Sequence, residues 1–193
     1  MLTTALLHRY EEEYSMAWNT SIIGVQSASI SSQSLANILG YSNTSGNIDF
    51  ESATSSMFEG VAFAEHDGWV IGISGVYWAD IGLVGDRLAQ LSSIDHAIVI
   101  MTAGVSDTFS FDDVRNGILV RRIVVHDGQV IEELGSKTAI EIDAEKSSSI
   151  LDDGEAHILA IFSETVAPIG QLLELQLTAY KVMMDNPDPS MFA

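Results

Sequence analysis

Three times in this chain a residue that tolerates positive φ stands directly before a glycine, between two β-rich runs: Asp67-Gly68, Asn116-Gly117 and Asp127-Gly128. Both central residues of a type I′ turn need positive φ, so such dipeptides mark two-residue hairpins. The first turn, led by His66, separates the runs Gly60 to Glu65 and Trp69 to Ser74. The other two separate Asp107 to Asp113, Ile118 to Val125 and Gln129 to Leu134. Three strands joined by two tight turns make an antiparallel meander. Within it Phe109 and Phe111 alternate with polar neighbours, as on a half-buried strand.

Around these hairpins the periodicity changes. Leu6, Leu7, Tyr10 and Tyr14 share one face of a helix expected over Thr3 to Met16. Ser21 to Ala28 reads as a strand. Ser29 to Ser34 caps a short helix carrying Leu35, Ile38 and Leu39, which Gly40 ends. Tyr41 to Gly46 reads as loop, and Phe50 to Phe58 as another short helix. Ile81, Val84, Leu88 and Leu91 repeat at helical spacing behind Asp80 as N-cap, and Ala97 to Met101 is a short apolar strand. Asp152-Asp153-Gly154-Glu155 opens a helix with Ile158, Leu159 and Phe162. Pro168 opens a last helix whose stripe is Ile169, Leu172, Leu173, Leu177 and Tyr180. Asn186-Pro187-Asp188-Pro189 ends it. The expected fold is one α+β domain over residues 1–193, an antiparallel sheet with the meander, flanked by N- and C-terminal helices.

Charge narrows the partner. Against 27 Asp and Glu stand 8 Lys and Arg, a formal net charge of -19 over 193 residues. Such a field repels phosphate backbones and anionic membranes and speeds encounter with basic proteins. The expected partner is therefore a basic protein, with no nucleic acid and no membrane. Acidity that serves only solubility is the plain alternative. The distribution is uneven. No Lys or Arg occurs from Tyr10 to Asp86, and the cations concentrate between Arg87 and Lys137. The opening residues carry neither a basic n-region nor an apolar h-region, and no apolar stretch approaches the ~18 residues a membrane span needs, so a cytoplasmic location is expected.

Chemistry is sparse. Cysteine is absent, which removes disulfides and thiolate sites. The five histidines are far apart, and none has a metal-ligand spacing. His66 and His126 each precede Asp-Gly, where the turn chemistry explains the pair as well as an acid–base role would. Gly72-Ile73-Ser74-Gly75 lacks the spacer of a nucleophile elbow. The carboxylate pairs Asp112-Asp113 and Glu132-Glu133 lie on strands, where adjacent side chains point to opposite faces. Arg121 and Arg122 obey the same rule and are expected to pair with acids on neighbouring strands, near Glu132 or Asp112. No catalytic residue, metal or cofactor is expected. The candidate contacts for a basic partner are Glu11, Glu12, Glu13, Asp49, Glu51, Asp152, Asp153 and Glu155, with Trp78 and Tyr41 as apolar anchors.

The run Gly68-Trp69-Val70-Ile71, then Trp78-Ala79-Asp80-Ile81-Gly82-Leu83-Val84, is one part of a wider likeness. Ser106-Asp107-Thr108-Phe109-Ser110-Phe111, Asn116-Gly117-Ile118-Leu119-Val120-Arg121-Arg122 and Val130-Ile131-Glu132-Glu133-Leu134-Gly135 are the other. Over Gly60 to Gly135 the chain resembles small uncharacterised bacterial domains, some found beside toxin–immunity loci. That resemblance implies an α+β fold with an antiparallel sheet and transfers no catalytic residue. Together with the acidity it implies an immunity-type interaction protein that neutralises a basic cytotoxic effector in the cytoplasm. A phage-encoded inhibitor, a DNA mimic and a hydrolase using His66 or His126 are the alternatives.

Overall fold

The β-rich runs assemble into one nine-stranded antiparallel sheet in a computed structural model that describes residues 19–182 except 56, 76–80, 90 and 92. Its strands are β1 (Asn19–Gln26), β2 (Tyr41–Ile48), β3 (Gly60–His66), β4 (Trp69–Ser74), β5 (His96–Ala103), β6 (Thr108–Arg115), β7 (Ile118–His126), β8 (Gln129–Leu134) and β9 (Leu177–Val182). They lie in the order β2-β9-β3-β4-β1-β5-β6-β7-β8. At the three dipeptide turns both residues take positive φ: 47° and 82° at Asp67-Gly68, 50° and 69° at Asn116-Gly117, 49° and 65° at Asp127-Gly128. That is the backbone a type I′ turn demands and glycine permits.

Helices cover both faces. On one face α1 (Ser32–Ile38) and α3 (Ile81–Ala89) bury Leu35, Val84 and Leu88 against Ile23, Phe63, Val70 and Val99. On the other, α2 (Phe50–Thr54), α4 (Ala139–Ala144), α5 (Gly154–Thr165) and α6 (Ile169–Leu172) bury Phe50, Ala144, Ile158, Phe162 and Leu172 against Ile22, Ile71, Ile100, Phe111 and Ile123. Side chains of a strand alternate between faces, so central strands clad on both sides become apolar throughout. β4 and β6 are accordingly buried along almost their whole length. The caps are local. Ser31 accepts from Ser34 N to open α1, and Asp153 accepts from Ala156 N to open α5.

Several expectations are corrected. Tyr41 to Gly46 is not loop but the body of edge strand β2, which pairs with β9. The helix expected over Phe50 to Phe58 stops at Thr54. The last helix is a single turn, α6, and Leu177 and Tyr180 belong to β9, inserted between β2 and β3. Of the proposed stripe, Leu172, Leu177 and Tyr180 are buried, but Leu173 is 36% exposed. The described helices lie between strands rather than flanking the sheet at the chain ends. The helix expected over residues 3–16, the Asp80 cap and the 186–189 terminator lie outside the described residues.

Candidate functional site

The described candidate acids stand on two elements, α2 and the start of α5. Asp49 caps α2, its side chain accepting from Ser52 N at 2.8 Å, and the Ser52 hydrogen bonds hold its carboxyl below the ordinary value. Glu51 is exposed in the first turn of the same helix, which lies over β3, β4 and β9. Asp152, Asp153 and Glu155 stand at the start of α5, which lies over β5 and β6. There Asp152 and Asp153 line a shallow open depression of about 550 Å³ with Glu145, Lys146, Ser147 and Ala156. Burial, with the charge of Asp153, pushes the Glu155 carboxyl above its ordinary value. Tyr41 is half-buried and packs on the core beside α1. Glu11, Glu12, Glu13 and Trp78 lie outside the described residues.

What the fold does bring together is charge at the β6–β8 end of the sheet. Arg122 forks onto Asp112, Nε to Oδ1 and Nη2 to Oδ2, both at 2.8 Å, with Glu132 3.5 Å away. On the opposite face Arg121 donates from Nε to Glu141 Oε1 at 2.8 Å, and its Nη1 lies 3.0 Å from Glu133 Oε1. The same Nη1 donates to the carbonyls of Leu134 and Gly135. Arg121, Arg122, Asp112 and Glu141 are all buried, and Arg121 Nη2 is buried without a hydrogen-bond partner. Space for the first pair comes from α3. A Cβ on Gly85 would stand 2.0 Å from Asp112 Oδ2. The alternation of strand side chains thus places one arginine on each face; Arg122 meets the expected acids Asp112 and Glu132, whereas Arg121 pairs with Glu141 and Glu133 instead.

Sequence reasoning missed Glu141 and the Asp113 cluster. Glu141 belongs to a reciprocal cap in which Thr138 Oγ1 accepts from Glu141 N and Glu141 Oε2 accepts from Thr138 N. The run Thr138-Ala139-Ile140-Glu141 carries that signature openly. Asp113, also buried, meets His96 Nε2 at 3.0 Å and Arg115 Nη2 at 2.9 Å. Burial alone would raise the Asp113 carboxyl, but the hydrogen bonds and charges of His96 and Arg115 outweigh it and hold it below 3.8. The dyad resembles a general base with its orienting acid, yet among the described residues His96 hydrogen-bonds no hydroxyl. Register explains why it escaped notice: His96 and Asp113 lie on different strands.

The other described histidines tie structure together, and His8 lies outside the described residues. His66 Nε2 meets Gln171 Oε1 at 3.1 Å, and His126 Nδ1 meets Thr108 Oγ1 at 2.8 Å across β6 and β7. Buried His157 meets the Ser148 carbonyl at 2.7 Å. Among the described residues no three His, Cys, Asp or Glu converge to hold a metal ion, and no helix is long and apolar enough to cross a membrane. Comparison of the chain with protein-family models, curated proteins and solved structures finds no match.

Proposed function

We propose that the protein is an immunity-type interaction module that binds and neutralises a basic cytotoxic effector in the cytoplasm. The observation that carries this reading is the fate of its cations. Arg115, Arg121, Arg122, Lys137 and Lys146 each stand in an ion pair with a carboxylate of the same chain. Each such pair cancels one acid with one cation, so the net charge of -19 is carried by carboxylates left over from them, which suits steering of a basic protein.

Stopped-flow association with the product of the adjacent gene tests it. The rate should fall steeply as the Debye length shrinks from about 10 Å at 0.1 M salt to about 3 Å at 1 M. Reversing Glu51, Asp152 and Glu155 together should slow association more than dissociation. A salt-independent rate, or no binding, would leave the acidity to solubility.

A further inference from the structure

The outermost strand β8 is exposed at every position from Gln129 to Leu134. Among the described residues its outer side has no strand neighbour. A free edge offers unpaired N–H and C=O groups to any extended chain, and natural sheets blunt such edges. The opposite edge strand is more strongly blunted: along β2 the exposed residues, among those described, are Thr44, Ser45, Gly46 and Asn47, and its pairing with β9 shifts register twice, where that of β8 with β7 shifts once. β8 instead exposes apolar side chains, with Val130 at 43%, Ile131 at 63% and Leu134 at 46%.

Its charge says what would pair there. Its two carboxylates reach the buried arginines of β7, Glu133 at 3.0 Å from Arg121 Nη1 and Glu132 at 3.5 Å from Arg122 Nη1. Each arginine also holds a buried acid at 2.8 Å, Glu141 or Asp112, while Glu132 and Glu133 stay 54% and 48% exposed and carry negative charge to the edge. Along β8 these acids sit between Ile131 and Leu134, one on each face. On the inner side Glu133 lies beside Ile123 and Glu132 beside Val124, with Arg122 beside Leu134, so the arginines of β7 reach the acids from neighbouring positions.

We propose that β8 receives, by strand addition, an extended segment of a basic protein in which two adjacent cationic residues lie between apolar ones. This rests on the reading of a basic partner and says where and how that partner is held. Main-chain bonds to the edge give affinity, and the Glu132-Glu133 pair fixes register. A second copy of this chain fits worse. Two-fold antiparallel pairing of β8 would set the acids of the two strands beside one another, with a net charge of -19 on each copy.

The test uses the full chain and an end-capped peptide, Thr-Thr-Val-Arg-Arg-Val-Thr-Thr. Its controls carry Glu-Glu at the centre or N-methyl groups on alternate amides. The arginine peptide should slow amide exchange at residues 129–134 by about tenfold or more, and both controls should lose that protection. Ile131→Lys should weaken binding about tenfold while leaving the unfolding midpoint in place. If the N-methylated peptide binds equally well, or Ile131→Lys binds normally with β8 unprotected, the edge is not the site although the basic-partner reading survives. If the arginine peptide fails to bind while the adjacent gene's product associates in a salt-dependent way, the edge proposal alone falls; if both fail, both fall. Protection of β8 that rises with protein concentration in the absence of peptide, together with dimers in sedimentation, would assign the edge to self-association and overturn the proposal.

Discussion

At one end of the sheet, β2 lies on β9 over an apolar floor of Leu177 and Tyr180, and its outer side is polar and twice out of register. At the other end, β8 lies on β7 over two buried arginines, and its outer side is half apolar and regularly exposed. The first end is held by burial, which is non-directional and indifferent to pH and salt. The second is held by charge-assisted hydrogen bonds, which are directional and costly to leave half made. Cohesion by ion pairs lets a strand stay attached without an apolar cover, and that leaves its surface free for a partner.

Removing one member of a buried pair should produce the largest effect. Asp112→Ala removes the buried bidentate partner of the Arg122 guanidinium and should cost about 3–5 kcal/mol, measured by urea unfolding. Replacing both partners, Asp112→Leu with Arg122→Met, should recover most of that loss. If the single and double variants are equally unstable, the ion pair is not what holds this end. In the apolar cover, Leu172→Ala should cost about 2–5 kcal/mol, whereas Leu173→Ala should stay within about 0.5 kcal/mol. Equal losses would return Leu173 to the core.

Gly85→Ala tests the approach of α3 to the ionic end. Its methyl must displace the Asp112 carboxylate, at a cost of about 1–3 kcal/mol, and the crystal structure of the variant should show the Asp112–Arg122 fork opened. A smaller effect belongs to Asp113. Its folded carboxyl titrates below 3.8, so its contribution is present above that value and is lost as pH falls through the folded value. Asp113→Asn should flatten the acid limb of the stability profile in that window, and an unchanged limb would deny the cluster its role. The smallest effect is expected at the edge itself, where Ile131→Lys should shift stability by no more than about 0.5 kcal/mol.

Local signals were readable and distant ones were not. The turns at Asp67-Gly68, Asn116-Gly117 and Asp127-Gly128 need no information beyond their own residues and flanking runs, and their strands lie where those runs predict. The Arg121–Arg122 pairing was readable too, because strand alternation separates adjacent side chains whatever the partner. β2 escaped because its polar residues carry no apolar alternation and its partner β9 comes more than a hundred residues later. β9 was misread because Leu172, Leu173, Leu177 and Tyr180 fall at helical spacing by accident, while a strand buried on both faces shows no alternation to oppose it. Glu141 could have been found from its capping signature, whereas the His96–Asp113 contact exists only through the β5–β6 register.

The position of β9 has a consequence for how the molecule is made. β9 is the only described strand hydrogen-bonded to β2, and it also lines the outer side of β3. A ribosome adding about 5–20 residues per second therefore releases β2 and β3 with their edges open until residues 177–182 emerge. During that interval the nascent chain depends on the β3–β4 hairpin and the polar character of β2 to avoid pairing with strangers. The serine, asparagine and threonine residues that disguised β2 as loop are the ones that keep it harmless while it waits.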